Sequence, residues 1–366
     1  MAKRKRSNKE VSQGPDHIPK RVKTSEGQQP KQTAVASKAR QLARTALANK
    51  NHFAETPTND DRKEEGALYE LLGSEESSDR VDAAGCIITR LLGGGGAPQT
   101  VLERHLDKRL FRGLASGRNA SRIGFSLVIT EILSQLFGEK ALATDRYPSL
   151  RFESALKMLV ERTEPGPNVP GQEERDNYFG RLFGLETFVK AGVLSNEERW
   201  SAVLDLILAL SAKKVWIRSQ CGWLITQAVG QMDVSTAKYT LERLAKTELV
   251  DTPEGVAVWL TAREKFPSSS RISKVEPWGD PLSRPRLNKL ALVLREGSKN
   301  DSSTDGQALQ GQPKQVGWTA QLHFVWDSII RYLAGADEEA LGAFWQTVVD
   351  GEFQSLTRWA SESIYG

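Results

Sequence analysis

RLFRGLASGRNASRIGFSLVITEIL, residues 109–133, joins two apolar helical patterns across an Ala-Ser-Gly break and carries four arginines, Arg109, Arg112, Arg118 and Arg122. Upstream of the break, Leu102, Leu106, Leu110 and Leu114 recur every four residues, the apolar stripe of a helix. Arg104, Lys108 and Arg112 recur with the same spacing on another side of that helix. Downstream, Ile123, Phe125, Leu127, Val128, Ile129, Ile132, Leu133, Leu136 and Phe137 leave little polar face, so the second helix is expected to lie buried between neighbours.

The arginines divide by their place on these helices. Arg109 and Arg112 fall in the last turns of the first helix, where a cation suits the negative dipole end and needs no other partner. Arg118 and Arg122 fall in the first turns of the second, where a cation opposes the dipole. Either a nearby carboxylate neutralises them or they face an external anion such as a nucleic-acid phosphate.

From about residue 62 the chain reads as one helix after another, at 62–72, 78–92, 98–115, 119–138, 149–162, 173–191, 196–212, 215–230, 235–249, 253–266, 286–296, 319–334 and 338–350. Ser78, Ser149, Asn196 and Thr252 are cap-like starts, the last followed by Pro253 at the first helical position; Gly or Pro marks most ends. Strand signals are scarce. Short loops between successive helices predict an all-α fold, a right-handed stack of helical pairs of degenerate armadillo or HEAT type, in a domain spanning 61–296 and resuming at 318–366. The polar stretch 297–317 reads as a mobile insertion, and 268–285 as an irregular segment pinned by Trp278.

Net charge is +4, but residues 1–50 hold thirteen Lys and Arg against three Asp and Glu, leaving the rest of the chain net acidic. Residues 1–60, poor in large apolar side chains, are expected to be disordered. Lys3, Arg4, Lys5 and Arg6, with Lys20, Arg21 and Lys23, form two short basic clusters that predict a bipartite nuclear-import signal. SKARQLARTALANK, residues 37–50, is amphipathic and could fold as a helix on a partner. No uninterrupted apolar run is long enough for a membrane span, and no secretory h-region follows the N-terminal charges. Cys86 and Cys221 stand apart in apolar contexts, as buried reduced thiols.

Enzymatic motifs fail on their chemistry. GGGGAPQT, residues 93–100, lacks the Gly-Lys-Ser/Thr that grips phosphate and magnesium, and reads as an interhelical loop. His17, His52, His105 and His323 are too scattered for a metal cluster, and His323 reads as a packed, hydrogen-bonded imidazole. Asp79/Asp82 and Glu173/Glu174/Asp176 are helix-start carboxylates, not the paired-metal clamp of a nucleotidyl transferase. All nine tryptophans lie between Trp200 and Trp359 and read as wedges between helices, Trp216 and Trp223 being seven apart. Lys213, Lys214 and Arg218 around Trp216 come nearest to a base-stacking arrangement and form a second candidate contact region.

The 109–133 segment closely resembles the signature of the DNA polymerase phi family, also called the Myb-binding protein 1a family. RLFGLETFVKAGVL (181–194), KKVWIRSQCGWLI (213–225), DTPEGVAVWL (251–260), HFVWDSII (323–330) and FWQTVVDGEF (344–353) extend the resemblance in order along the chain. The resemblance implies a nucleolar helical-repeat protein linked to ribosomal RNA gene transcription and ribosome production, with DNA (rDNA) and RNA, and transcription or ribosome-assembly proteins, as partners. No cofactor, membrane or small-molecule substrate is implied. It also implies a longer protein, with RWASESIYG (358–366) stopping inside a family block and the last helix lacking a neighbour.

The expected function is therefore a nuclear, non-enzymatic scaffold whose basic arm contacts nucleic acid, with Arg104, Lys108, Arg112, Arg118 and Arg122 as first-choice phosphate contacts on the body. Two alternatives stand beside it. One is a template-dependent DNA polymerase, as the family label suggests; the other is a transcription-factor-binding regulator that does not touch nucleic acid.

Overall fold

The computed structural model describes residues 40–194, 196–303 and 323–350, and every regular element among them is helical. After α1 (residues 40–48) come α2 (Asn59–Leu71) and α3 (Ser77–Leu92). The next helix, α4, starts at Gln99–His105 and continues through a π-helical stretch, Leu106–Phe111, into Arg112–Leu114. There follow α5 (Asn119–Phe137), α6 (Leu142–Asp145), α7 (Phe152–Arg162), α8 (Gly171–Lys190) and α9 (Glu197–Lys213). Then come α10 (Arg218–Val229), α11 (Val234–Leu244), α12 (Pro253–Lys265), α13 (Ser270–Ser273) and α14 (Leu287–Ser303). Last are α15 (Val325–Leu333) and α16 (Glu338–Phe344), the latter running into the π-helical Trp345–Val349.

Helices α3, α5, α8, α10, α12 and α15 pack each on the next, while α4, α7, α9 and α11 lie against neighbouring members of that file. One continuous hydrophobic core results, threading from Ala46 to Val348. The all-apolar pattern of α5 has its predicted outcome on most sides: Val128, Ile129, Ile132 and Leu133 are wholly inaccessible, although Ile123 and Leu127 remain exposed.

The π-helical stretch explains the leucine spacing of α4. In an α-helix of about 3.6 residues per turn, residues four apart drift by about 40° at each step, so four such leucines would fan round the cylinder. A π-helical turn takes up the extra residue. Leu102, Leu106, Leu110 and Leu114 accordingly share full burial.

Backbone-to-backbone contact around α5 is set by glycine. A Cβ on Gly124 would stand 2.0 Å from the Leu72 carbonyl oxygen, and one on Gly180 of α8 would stand 2.8 Å from the Ala115 amide. Both helices thus touch main chain where any larger residue would hold them off.

Asn196 caps the Arg199 amide at 2.8 Å and Thr252 caps Gly255 at 3.3 Å, ahead of Pro253, as their positions predict. Ser78 and Ser149 do not cap: α3 already includes Ser77, and α7 starts only at Phe152, with Arg151 at its cap. Trp278 is buried and donates from Nε1 to the Val250 carbonyl at 2.8 Å, pinning its irregular segment. Trp200, Trp259 and Trp278 are buried as wedges, but Trp223 and Trp345 are 42% and 56% exposed. Trp216 and Trp223 do not share a helix face, because Trp216 sits in a separate 3-10 turn, Val215–Ile217. Both cysteines are buried and free.

Two boundaries move. Residues 40–48, counted with the disordered tail by composition, are helical; Ala46 is wholly buried, and the Cys86 thiol donates to its carbonyl at 3.5 Å. The amphipathic segment thus docks on its own chain, because its apolar side has a core to join. The polar run expected as a loop from 297 stays helical to Ser303 within α14. The import clusters at 3–6 and 20–23, and the remainder of the insertion, lie outside the described residues.

A buried polar cluster joins α2 to α4. The Tyr69 hydroxyl and His105 Nδ1 are hydrogen-bonded at 2.7 Å, Phe53 stacks on the imidazole at 4.3 Å, and Glu65 Oε1 stands 3.8 Å from Nε2. Burial, then the positive Arg104, Arg109 and Arg90, push the His105 pKa down from the ordinary 6.5 to about 3. The folded state therefore holds His105 neutral, whereas the unfolded chain gains a proton below 6.5.

Stability should accordingly fall as pH drops from 6.5 towards 3, and in His105→Gln part of that pH slope should disappear from thermal melts at stepped pH. Gly124→Ala should lower unfolding free energy in urea by about 1–3 kcal/mol or more, since its methyl group meets main chain that cannot rotate away.

Candidate nucleic-acid interface

The Ala-Ser-Gly break turns the chain from α4 into α5 and is pinned from α8. Ala115 rests on Gly180, and a Cβ on Gly117 would lie 3.1 Å from the Asp176 carboxylate. Around this turn the eight body residues picked from sequence separate into two groups.

Four are occupied by the fold. Arg104 donates to the carbonyls of Glu55 (2.8 Å) and Ala54 (3.0 Å) and stands 3.6 Å from Glu65, so it ties the segment before α2 to α4. Arg122 is buried, with Nη2 donating to Asp176 at 2.7 Å and its guanidinium 5.1 Å from the Phe179 ring centroid. Burial pushes its pKa down and the Asp176 carboxylate opposes that shift. Lys214 pairs with Glu174 at 2.9 Å and lowers that carboxyl's pKa through the hydrogen bond, while Lys213 stands 3.6 Å from Glu164. For Arg122 it is the internal carboxylate, and not an external anion, that answers the unfavourable dipole.

The other four keep their charge available. Lys108, Arg112 and Arg118 are exposed and Arg218 is half-buried; among the described residues none has a carboxylate within ion-pair distance. Arg118 sits at the cap of α5, its guanidinium against Gly73 at the C-terminal end of α2, where α2's carbonyl dipoles partly offset the opposing dipole of α5.

Two cations absent from that group of eight join them. Arg109, assigned from sequence to dipole complementation alone, lies 5.8 Å from the Tyr69 centroid and is exposed. Arg175 of α8 lies 4.9 Å from the Trp216 centroid and 5.7 Å from Phe179, also exposed and, among the described residues, without an ion pair. Its neighbours Glu173, Glu174 and Asp176 make it look neutralised in sequence, yet Glu174 and Asp176 are engaged by Lys214 and Arg122.

A strip results, connected contact by contact: Arg109 over Tyr69, Arg118 beside Gly73, Gly117 on Asp176, and Arg175 over Trp216. Trp216 in turn lies 6.4 Å from Tyr178, whose ring carries Lys213 at 5.0 Å. Arg175, without an ion pair among the described residues, lies over a half-buried indole, a combination that can hold a phosphate beside a stacked base. His323, as expected, is packed and bonded, with Ser219 at 3.2 Å and Glu254 at 3.4 Å. Among the described residues no three His, Cys, Asp or Glu side chains converge as a metal site, and no helix is long and apolar enough to cross a membrane.

The DNA polymerase phi family model matches residues 105–363. The chain belongs to that family. It is 29% identical over 318 residues to the rDNA transcriptional regulator pol5 of Schizosaccharomyces pombe, covering 82% of this chain and 30% of that protein. It is 30% identical over 298 residues to the rDNA transcriptional regulator POL5 of Saccharomyces cerevisiae, covering 72% of this chain and 28% of the relative. The chain thus spans under a third of the length of these curated relatives. No solved structure matches it.

The division between occupied and free cations has a direct test. Asp176→Ala should destabilise the fold by about 3–5 kcal/mol, because it strands the buried Arg122 charge. Arg112→Glu and Arg118→Glu should leave the melting temperature nearly unchanged. Thermal melts of the three variants check both statements.

Proposed function

We propose that this chain is the nucleic-acid-holding helical-repeat part of a nuclear regulator of ribosomal RNA gene transcription, and that it is a scaffold without catalytic turnover. The observation that carries the reading is the set of cations Arg109, Arg118 and Arg175, without ion pairs among the described residues, the last over Trp216, on a body that is otherwise net acidic. A concentration of free positive charge against the prevailing sign calls for an anionic partner, and phosphodiester backbone beside a stacking indole meets it.

The names of the two fungal relatives supply the process, rDNA transcription, and describe regulators and not polymerases. The stepwise contacts of α3, α5, α8, α10, α12 and α15 support a degenerate armadillo or HEAT-like stack, since each helix meets near neighbours in sequence. The import clusters Lys3–Arg6 and Lys20–Lys23 would deliver the protein to the nucleus, and to the nucleolus through its rDNA target. The basic segment 1–39 adds salt-sensitive attachment without sequence preference.

The test is fluorescence anisotropy with a labelled rDNA fragment, single- and double-stranded, at two salt concentrations, using a chain that lacks residues 1–39. Binding should weaken with salt, and Arg118→Glu/Arg175→Glu should reduce the log–log salt slope by about 0.7–0.9 for each phosphate no longer neutralised. Nucleic-acid affinity that vanishes with residues 1–39, or is indifferent to both substitutions, rejects the strip.

A further inference from the structure

A second charged feature lies away from that strip. Between α11 and the segment carrying α13 runs an open groove of about 780 Å³, lined by Lys238, Lys246, Arg271 and Lys274 with Ala245 and Val275 among its other residues. Glu242 and Glu276 also line it, but Glu242 is engaged by Lys238 at 3.1 Å and Glu276 by Arg286 at 2.6 Å. Lys246, Arg271 and Lys274 are exposed and have no carboxylate within ion-pair distance among the described residues. Among the described residues these three cations face one groove without an ion pair, its two carboxylates being paired with Lys238 and Arg286.

The walls are fixed. Ile272 is wholly buried beneath α13, and Trp259 Nε1 donates to the Val275 carbonyl at 3.2 Å. The groove does not have to be assembled by its ligand, which limits the ordering cost of binding.

We infer that this groove is a docking site for an acidic peptide segment of a partner protein, with Lys246, Arg271 and Lys274 as its charge contacts. The lining contains no aromatic residue, so a single strand would find no stacking platform. A convex duplex would contact only the rims of a groove. The half-buried side chain of Ala245 does nothing for a phosphodiester chain, whereas it suits a small apolar residue of a peptide whose acidic residues meet the cations. The inference is independent of the nucleic-acid strip and survives or fails without it.

The test uses the full chain and a fluorescein-labelled peptide of alternating acidic and alanine residues, read by anisotropy at low salt. Lys246→Glu/Arg271→Glu/Lys274→Glu should weaken peptide binding by about tenfold or more, while single-stranded DNA binding changes less than about twofold. The charge-neutral Lys246→Gln/Lys274→Gln, with unchanged circular dichroism, should give a smaller loss in the same direction. Arg118→Glu/Arg175→Glu should leave the peptide affinity intact. Peptide binding unaffected by the triple reversal, or a loss of DNA binding in its place, overturns the assignment.

Discussion

The structure depends on the close seating of α5 among its neighbours. A helix with so little polar surface gains free energy only if other helices cover it, and Gly124 lets the end of α2 approach it main chain to main chain. That seating brings α2, α4 and α8 together at the turn 115–118, where Gly180 and Asp176 hold the backbone from the α8 side. The strip proposed to hold nucleic acid is a consequence of this geometry. Arginines at a helix break become a surface only because the break is clamped in place.

The clamp also sorts the charges. Asp176 takes Arg122 into the protein, and Ala54, Glu55 and Glu65 take Arg104. A buried, bonded guanidinium is costly to strand and is of no use to a ligand. What remains outside, Lys108, Arg112 and Arg118 with Arg109 and Arg175, is exposed charge whose removal costs the fold little. Internal pairing and surface exposure are thus divided among neighbouring basic side chains.

Helix order and the burial of α5 were legible in the sequence because apolar periodicity is a local signal and short connections leave few alternatives. The family was legible too, from several blocks in order. The fate of individual arginines was not. Arg122 and Arg118 stand four residues apart at the start of the same helix, and partners distant in sequence separate them, Asp176 for Arg122 and the end of α2 at Gly73 for Arg118. Arg175 was hidden by three adjacent carboxylates, two of which find their partners on other helices. Residues 40–48 were misplaced because low hydrophobicity describes a segment alone, while Ala46 finds its core against Cys86.

Ultraviolet cross-linking of a bromouridine-substituted oligonucleotide to the full chain, followed by peptide mass spectrometry, addresses where nucleic acid sits on this molecule. Adducts should map to Trp216 and to the peptides spanning Lys108–Arg122 and Arg175. Adducts confined to residues 1–39, with none on the helical body, would contradict the account.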